Sequence, residues 1–312
     1  MSTPWIDPEL VEGMQAADDL PLAVGDIAGR RSLHERLLRE EFSGLRAPDN
    51  VLTTDFRVPA ADGSQLLARW YSPPGPGPGS AGLYCHGGGM ILGSVDLFDP
   101  LAARYVSSSA VPLLAIDYRL APEFPYPTPI EDVYAGLVWL HDHASELGVD
   151  PDRMFVMGDS AGGCLAAAVS LLARDRGGPR IARQILIYPM LDDRTTTPDP
   201  RFDGVASWTY DDNATGWSAL LGDAAGTADV AAHAAPARAR DLAGLPPAYI
   251  DVGDLDIFLD EDLEYALRLS RAGIPTELHV HPGAPHGFES LAWGSSVATR
   301  SLADRVRVIR SV

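Results

Sequence analysis

Short apolar runs recur along the chain from residue 83 onwards and predict strands that are buried on both faces. Each run holds three to six residues, too few for an ordinary helix. The runs are LYC at 83, VPLLAI at 111, MFVM at 154, QILIY at 184, AYIDV at 248 and TELHV at 276. Ahead of them, residues 51–60 and 64–72 alternate apolar and polar positions around Asp62-Gly63, a pair typical of a hairpin turn. We therefore predict an antiparallel hairpin followed by six buried strands.

Helical patterns lie between these strands. Apolar residues recur at helical spacing in residues 131–148, 161–175 and 260–273. Strands and helices that alternate along a chain form a mostly parallel, doubly wound sheet with helices on both faces. We expect this eight-stranded α/β architecture in residues 49–191 and 237–312, which would form the catalytic domain.

Two regions depart from the alternation and predict a cap. Residues 1–48 contain one amphipathic helix candidate at 31–42. Its apolar face is formed by Leu33, Leu37 and Leu38. Residues 192–236 carry Trp208 and Trp217 among loop-forming residues, and so long an insertion between sheet strands is typical of a lid or binding segment. We predict that both regions form one helical cap in which the two tryptophans contact the substrate.

Composition and charge narrow the class of partner. The 312 residues include 24 Lys plus Arg against 43 Asp plus Glu, a formal net charge of −19. This charge disfavours nucleic acids and anionic membrane surfaces and favours a small, uncharged substrate. The start of the chain shows no signal-peptide pattern, and no segment has the apolar length of a membrane span, so we expect a cytoplasmic enzyme. Cys85 and Cys164 are expected to be buried thiols, and the sequence leaves open whether the chain forms a homodimer.

A G-x-S-x-G pattern marks the candidate nucleophile. Gly158, Ser160 and Gly162 lie between the predicted strand MFVM and the predicted helix at 161–175. A nucleophile elbow needs this context, because the glycines let strand and helix approach closely while the serine occupies a strained turn. A serine hydroxyl becomes a good nucleophile only when a base takes its proton. The sequence therefore predicts a histidine further along the chain.

His286 is the best candidate for that base. It follows the last predicted strand in a loop rich in glycine and proline, where a side chain can be aimed at a site. His279 and His281 alternate along that strand and lack the carboxylate or cysteine set of a metal site, so no metal is expected. An acid should follow the preceding strand, and the loop after AYIDV offers Asp254 and Asp256. Spacing alone does not separate these two residues.

Three consecutive glycines after the strand LYC predict an oxyanion hole. Acyl transfer creates a negative oxygen, which backbone N–H groups in a dry site stabilise. Gly87, Gly88 and Gly89 supply N–H groups free of side chains, and Ala161, the residue after the candidate nucleophile, supplies another. A phosphate-binding loop is the alternative, but no Lys or Arg follows within the loop and no G-K-[ST] pattern is present.

Together these motifs resemble the bacterial hormone-sensitive-lipase-like carboxylesterases. The resemblance covers about residues 50–295, and six motifs occur in the family's order: HGGGM at 86, DYRLAPEFPYP at 117, DPDR at 150, GDSAGG at 158, DLDIFLDE at 254 and HGF at 286. It implies an α/β-hydrolase fold and a cofactor-free serine carboxylesterase that acts on short- to medium-chain uncharged esters. An amide-directed hydrolase on the same triad and a non-catalytic receptor on the same fold are the alternatives.

The resemblance also implies a role for each site residue. Ser160 would be the nucleophile, His286 the base and Asp256 the acid. The implied oxyanion donors are the amides of Gly88, Gly89 and Ala161, with His86 and Gly87 supporting the loop. Asp117, Arg119 and Glu123 would hold the loop behind the site.

The chain departs from the family pattern at a few positions near this site. Met90 replaces the family's usual aromatic residue and is expected to contact the substrate on a looser side of the pocket. Glu289 follows the HGF motif where the family has an apolar residue, a change expected to be harmless.

Overall fold

The sheet forms where the sequence places its apolar runs. The computed structural model describes residues 4–16, 22–45 and 48–312. Eight strands in this part of the chain form one sheet: β1 (Leu52–Pro59), β2 (Gln65–Ser72), β3 (Ala81–Cys85), β4 (Leu113–Ile116), β5 (Met154–Asp159), β6 (Arg183–Ile187), β7 (Ala248–Gly253) and β8 (Thr276–His281). Their order across the sheet is β1-β2-β4-β3-β5-β6-β7-β8.

Strand direction follows the prediction of a mostly parallel sheet. β1 and β2 form the expected antiparallel hairpin, and Gly63 has a φ of +88° in its turn. β2 also pairs antiparallel with β4, whereas every pair from β4 through β8 is parallel. The predicted eight-stranded α/β fold is therefore confirmed.

Burial of the strands differs from the prediction at one edge. All residues of β3, β4, β5 and β7 are buried, as expected for strands covered on both faces. β8 does not follow this pattern, since Leu278 and Val280 are 37% and 41% exposed. The reason is its position, because β8 is the last strand of the sheet and one of its faces remains open to solvent.

Nine helices surround the sheet in the described ranges. They are α1 (Val11–Ala16), α2 (Ile27–Ser43), α3 (Val95–Ser109), α4 (Thr128–Asp142), α5 (Ala161–Arg176), α6 (Tyr210–Leu221), α7 (Leu259–Arg271), α8 (Phe288–Leu291) and α9 (Ser296–Arg310). α2, α4, α5 and α7 lie where the sequence predicts helices, while the sequence analysis assigned no helical segment to the other five. No described helix combines the length and apolar character needed to cross a membrane.

The two regions outside the alternating pattern contact each other. Arg30 of α2 donates from Nε to the Asp212 carboxylate of α6 at 2.7 Å, and both side chains are buried. The backbone N–H of Gly25 also donates to Thr215 Oγ1 of α6, at 3.0 Å. A buried ion pair of this kind is costly to break from one side, since it leaves the other charge without a partner. α2 and α6 are thus held together.

A second arginine fixes α2 to the body of the protein. Arg31 donates from Nε to the carbonyl oxygen of Ile91 at 2.6 Å and pairs with Glu123 at 2.7 Å. Ile91 lies just after the triple glycine, and Glu123 belongs to the motif expected to support the site. α2 is therefore tied directly to the loops that surround Ser160.

Candidate active site

The turn at Ser160 has the strained geometry of a nucleophile elbow. It joins β5 to α5, and Ser160 has φ +56° and ψ −118°, a conformation that non-glycine residues rarely adopt. Its neighbours leave no room for side chains. A Cβ on Gly158 would lie 2.6 Å from the carbonyl oxygen of Cys85, and one on Gly162 would lie 2.6 Å from that of His86. Close packing of β3 against this turn thus aims the serine away from the sheet.

Ser160, His286 and Asp256 lie in one hydrogen-bonded line. The Nε2 atom of His286 is 2.9 Å from Ser160 Oγ, and its Nδ1 atom is 2.7 Å from Asp256 Oδ2. Asp256 is fully buried, and its Oδ1 accepts from the backbone N–H of Phe258 at 3.0 Å. The rings of Tyr188 and Phe258 meet the imidazole edge-on, with centroid distances of 4.7 and 5.1 Å. The imidazole is held in place between the serine and the carboxylate.

The two aspartates that spacing could not separate have different surroundings. Asp256 contacts His286, whereas Asp254 Oδ1 accepts from the backbone N–H of Gly283 at 2.6 Å. Burial raises the pKa of Asp254, which lies at the base of the histidine loop. In this structure Asp254 bonds to the loop backbone and Asp256 to the histidine.

Glycine is required at two positions of the loop that faces Ser160. Gly88 and Gly89 have φ values of +114° and +57°. A Cβ on Gly88 would overlap the backbone of Leu92, and one on Gly89 would lie 2.5 Å from the ring of Trp208. Within the described residues no acceptor bonds to the amides of Gly88, Gly89 or Ala161. These three N–H groups therefore have no acceptor within the described part of the chain.

Gly87 and His86 hold this loop from behind. The N–H of Gly87 donates to Asp159 Oδ2 at 3.1 Å, so it is occupied within the protein. His86 lies 2.7 Å through Nδ1 from the carbonyl oxygen of Gly87, and its ring stacks on Tyr118 with centroids 4.3 Å apart. Burial lowers the pKa of His86, which favours the neutral ring with its proton on Nδ1. The hydrogen bonds of both residues therefore hold the loop itself.

A cavity of about 140 Å³ opens beside Ser160 and His286. Its lining includes Gly87 and Gly88 of the glycine loop and Leu37 and Leu38 of α2. Aromatic rings form much of the remaining wall: Phe42, Phe98, Tyr188, Trp208 and Trp293. A concave, mostly apolar cavity beside a few convergent polar groups is the usual form of a small-molecule site.

This geometry agrees with the comparisons to known proteins. The α/β-hydrolase fold family matches residues 82–290. The chain belongs to this family. Esterase LipI of Mycobacterium tuberculosis is 31% identical over 96% of this chain and 92% of its own length. Carboxylic ester hydrolase LipN of the same organism is 36% identical over 95% of this chain and 78% of its own length.

Solved structures give the same result for the α/β-hydrolase fold. The structure of "Bacterial Heroin Esterase" superposes with a TM-score of 0.90 at 36% identity, covering 100% of this chain and 99% of that one. These relatives confirm the resemblance to the hormone-sensitive-lipase-like carboxylesterases that the motifs indicated.

The predicted substrate-contact residues are placed differently around this hydrolase cavity. Trp208 lines it and packs against Gly89. Met90 and Trp217 are buried but are not among the lining residues. Met90 has φ +65°, and its carbonyl oxygen accepts from the N–H of Ala121 at 2.9 Å. Leu33 is half-buried and also lies outside the cavity wall.

Several polar residues at the site were not predicted. Glu41, Glu289 and His34 line the cavity. Glu289 is 4% exposed, and its Oε1 accepts from Tyr188 at 2.8 Å and from Arg305 at 2.5 Å. The departure after the HGF motif is therefore part of a buried polar network, and the expectation that it is harmless has no support here.

Asp159, which precedes the serine, is another buried acid beside the cavity. Burial raises its pKa to about 6, against the effect of a 2.6 Å hydrogen bond from the hydroxyl of Tyr84. When ionised, its carboxylate accepts from both Tyr84 and Gly87. This charge fixes the start of the glycine loop.

One group of potential metal ligands lies away from the site. Glu277, His279 and Asp304 bring ligand atoms to within 4.8 Å of one another on β8 and α9. All three are half-buried, and Arg307 pairs with both acids. A guanidinium that already neutralises these acids competes with a cation, so the arrangement is that of a surface ion-pair network.

Proposed function

We propose that this α/β-hydrolase is a serine carboxylesterase that hydrolyses short- to medium-chain carboxylic esters through an acyl-enzyme. The observation that carries the proposal is the line of hydrogen bonds from Asp256 through His286 to Ser160. The relatives named above carry the names esterase and carboxylic ester hydrolase, which supports an ester as substrate. No finding favours an amide-directed hydrolase or a receptor.

The proposed reaction begins with proton transfer from Ser160 to His286. The Nε2 atom takes the hydroxyl proton as Oγ attacks the ester carbonyl carbon. Asp256 holds the neutral imidazole in the required tautomer and stabilises the imidazolium that forms. The carbonyl oxygen becomes an oxyanion, which the amides of Gly88, Gly89 and Ala161 would stabilise. Collapse of the intermediate breaks the ester C–O bond, and His286 returns the proton to the leaving alcohol.

Hydrolysis of the acyl-enzyme repeats these steps with water. His286 takes a proton from the water as its oxygen attacks the acyl carbon, and Ser160 leaves with that proton. No metal or cofactor is needed to balance either half of the reaction. We propose that α2 and Trp208, as parts of a cap, cover the acyl-enzyme and select the ester by size.

Substitution of the nucleophile tests this proposal. Ser160→Ala should lower kcat for p-nitrophenyl acetate by several orders of magnitude, up to about a millionfold as in other triad knockouts. Ser170→Ala is the matched control, because Ser170 lies on the same helix and its hydroxyl bonds to the carbonyl oxygen of Ala166 at 2.8 Å. An organophosphate should label the wild type and Ser170→Ala at Ser160. Near-normal turnover by Ser160→Ala would exclude the serine mechanism.

We also propose that the protein is cytoplasmic and that it forms a homodimer. In this dimer two copies pair through β8. Support for the dimer comes from the open edge of this strand and from its exposed Leu278 and Val280. Light scattering of the wild type should give twice the chain mass. Val280→Lys should give the monomer mass, because a charge on the edge opposes strand pairing. A wild-type monomer would refute this assembly.

A further inference from the structure

The wall of the cavity holds a buried acceptor that the proposed mechanism does not use. Glu289 is 4% exposed and lines the cavity, and its Oε2 atom has no hydrogen-bond donor among the described residues. A buried carboxylate oxygen without a donor costs free energy, so such an atom calls for an explanation. A ligand that brings a donor would remove this cost.

The Oε2 atom of Glu289 lacks a hydrogen-bond donor in the described part of the chain, whereas the charge of the carboxylate is already paired. Its other oxygen already accepts from the guanidinium of Arg305 at 2.5 Å and from the hydroxyl of Tyr188 at 2.8 Å. Arg305 also bonds to the buried Asp251 at 2.7 Å, which completes a network of fixed charges. A neutral group with an O–H bond can therefore satisfy Oε2 without the cost of burying another charge.

A second acid faces the same cavity from the helix α2. Glu41 lines it together with Leu37 and Leu38, one and nearly one turn earlier on the same face. Burial raises the pKa of Glu41, against the effects of a hydrogen bond from Ser290 and of the neighbouring His34, and the charge of Glu289 adds to the rise. The protonated form of this carboxyl group donates as well as accepts, whereas the ionised form only accepts. A hydroxyl group between Glu41 and Glu289 could then bond to both.

We propose that Glu41 and Glu289 form a subsite for a hydroxyl group at the far end of the substrate. This inference rests on the proposed esterase function and names its substrate class: neutral hydroxy esters whose hydroxyl lies several carbons from the ester bond. The intervening chain contacts Leu37, Leu38 and the aromatic wall. A site that binds a hydroxyl group in this way discriminates against the isostere that lacks it, because the acceptor is then left unpaired.

Matched pairs of esters test the subsite directly. One pair places the hydroxyl on the acyl side, p-nitrophenyl 6-hydroxyhexanoate against p-nitrophenyl heptanoate. The other places it on the alcohol side, 6-hydroxyhexyl acetate against heptyl acetate. We expect wild-type kcat/KM to favour the hydroxy ester about tenfold in one pair, since only one side of the substrate enters this cavity.

Variants of Glu41 assign the preference to the subsite. Glu41→Leu should abolish or reverse it, and Glu41→Gln, which keeps an acceptor and a donor, should retain most of it. The matched control is Glu40→Gln on the same helix, because Glu40 is exposed and pairs with Arg36 at 3.3 Å. Glu40→Gln should keep the full preference, which separates a local contact from a change in net charge.

The outcomes distinguish this inference from the proposed function. Equal kcat/KM within both pairs in the wild type would overturn the subsite while leaving the esterase intact. A preference that survives in Glu41→Leu would also overturn the assignment to Glu41. Absence of turnover for all four esters and for p-nitrophenyl acetate would instead overturn the esterase itself. The wild-type comparison needs no variant, so it holds even if Glu41→Leu fails to fold.

Discussion

Replacing Asp256 with asparagine removes one charge from the proposed triad with almost no change of shape. Asp256 Oδ2 faces His286 Nδ1 at 2.7 Å, and Oδ1 accepts from the N–H of Phe258 at 3.0 Å. Because the backbone donor keeps its acceptor at Oδ1, the new NH₂ group must face the imidazole. A donor in that place bonds to a lone pair on Nδ1 and moves the ring proton to Nε2. The Nε2 atom then donates to Ser160 and cannot take its proton.

The size of the effect follows from this change of tautomer. The same substitution in a serine protease triad lowers kcat about ten-thousandfold, which corresponds to about 5 kcal/mol in activation free energy. We expect a similar loss here, because Asp256 is fully buried and water cannot replace its carboxylate. The protein should remain folded, since the amide oxygen preserves the bond from Phe258.

Asp254→Asn is the matched control for the assay. Its Oδ1 accepts from the N–H of Gly283 at 2.6 Å, and an amide oxygen can accept that bond equally well. We expect Asp254→Asn to retain kcat within about tenfold. The assay is the steady-state release of p-nitrophenol from its acetate, with circular dichroism melting curves to verify folding of both variants.

The relative losses of kcat in the two variants test the assignment of the acid. A loss in Asp254→Asn that exceeds the loss in Asp256→Asn would refute the tautomer argument and the assignment of the acid. Equal, small losses would show that His286 keeps its orientation without a buried carboxylate. Either result would leave the nucleophile untouched, because labelling of Ser160 by an organophosphate measures it separately.

Three further predictions concern stability and the cavity. Because the pKa of Asp159 is raised to about 6 from 3.8, its folded form holds a proton more tightly than the unfolded chain. Wild-type stability should therefore fall by about 3 kcal/mol relative to Asp159→Asn as the pH rises from about 4 to above 6, measured by urea unfolding. Gly162→Ala should lower the melting temperature strongly by a clash with the carbonyl oxygen of Cys85, whereas Gly294→Ala, with open space around it, should not. Leu37→Trp should fill the cavity and reduce kcat/KM for octanoate esters far more than for acetate esters. Equal reductions for both esters would show that the acyl chain binds outside this cavity.

The strands could be predicted because their burial is nearly uniform. Runs such as MFVM and AYIDV are apolar throughout, since strands in the middle of a parallel sheet are covered on both faces. TELHV resembled them in length, but its polar positions at Glu277 and His279 lie on the edge of the sheet. Which strand lies at an edge depends on the order in which the strands pair, and no single apolar run specifies that order.

The chemistry at the site could be predicted in part for a similar reason. Ser160 and His286 each belong to a short motif next to a strand, so their positions follow from the strand prediction. The choice between Asp254 and Asp256 depends on how a short loop bends after β7, and both residues satisfy the spacing. Only the resemblance to a family favoured Asp256, which is the residue that contacts His286 in the structure.

The acids of the cavity escaped prediction although one signal for them was present. His34, Leu37, Leu38 and Glu41 are spaced three, four and seven residues apart and share one face of α2, the face that lines the cavity. The apolar members indicated a helix packed on the protein. His34 and Glu41 on the same face did not fit a purely apolar contact with the protein. An acid on a buried face costs free energy unless it meets a partner. Glu289 gave the same signal, as a charged residue where the family pattern is apolar. A charge at a position that periodicity assigns to the core therefore predicts a binding surface, and here both such charges face one cavity beside Ser160.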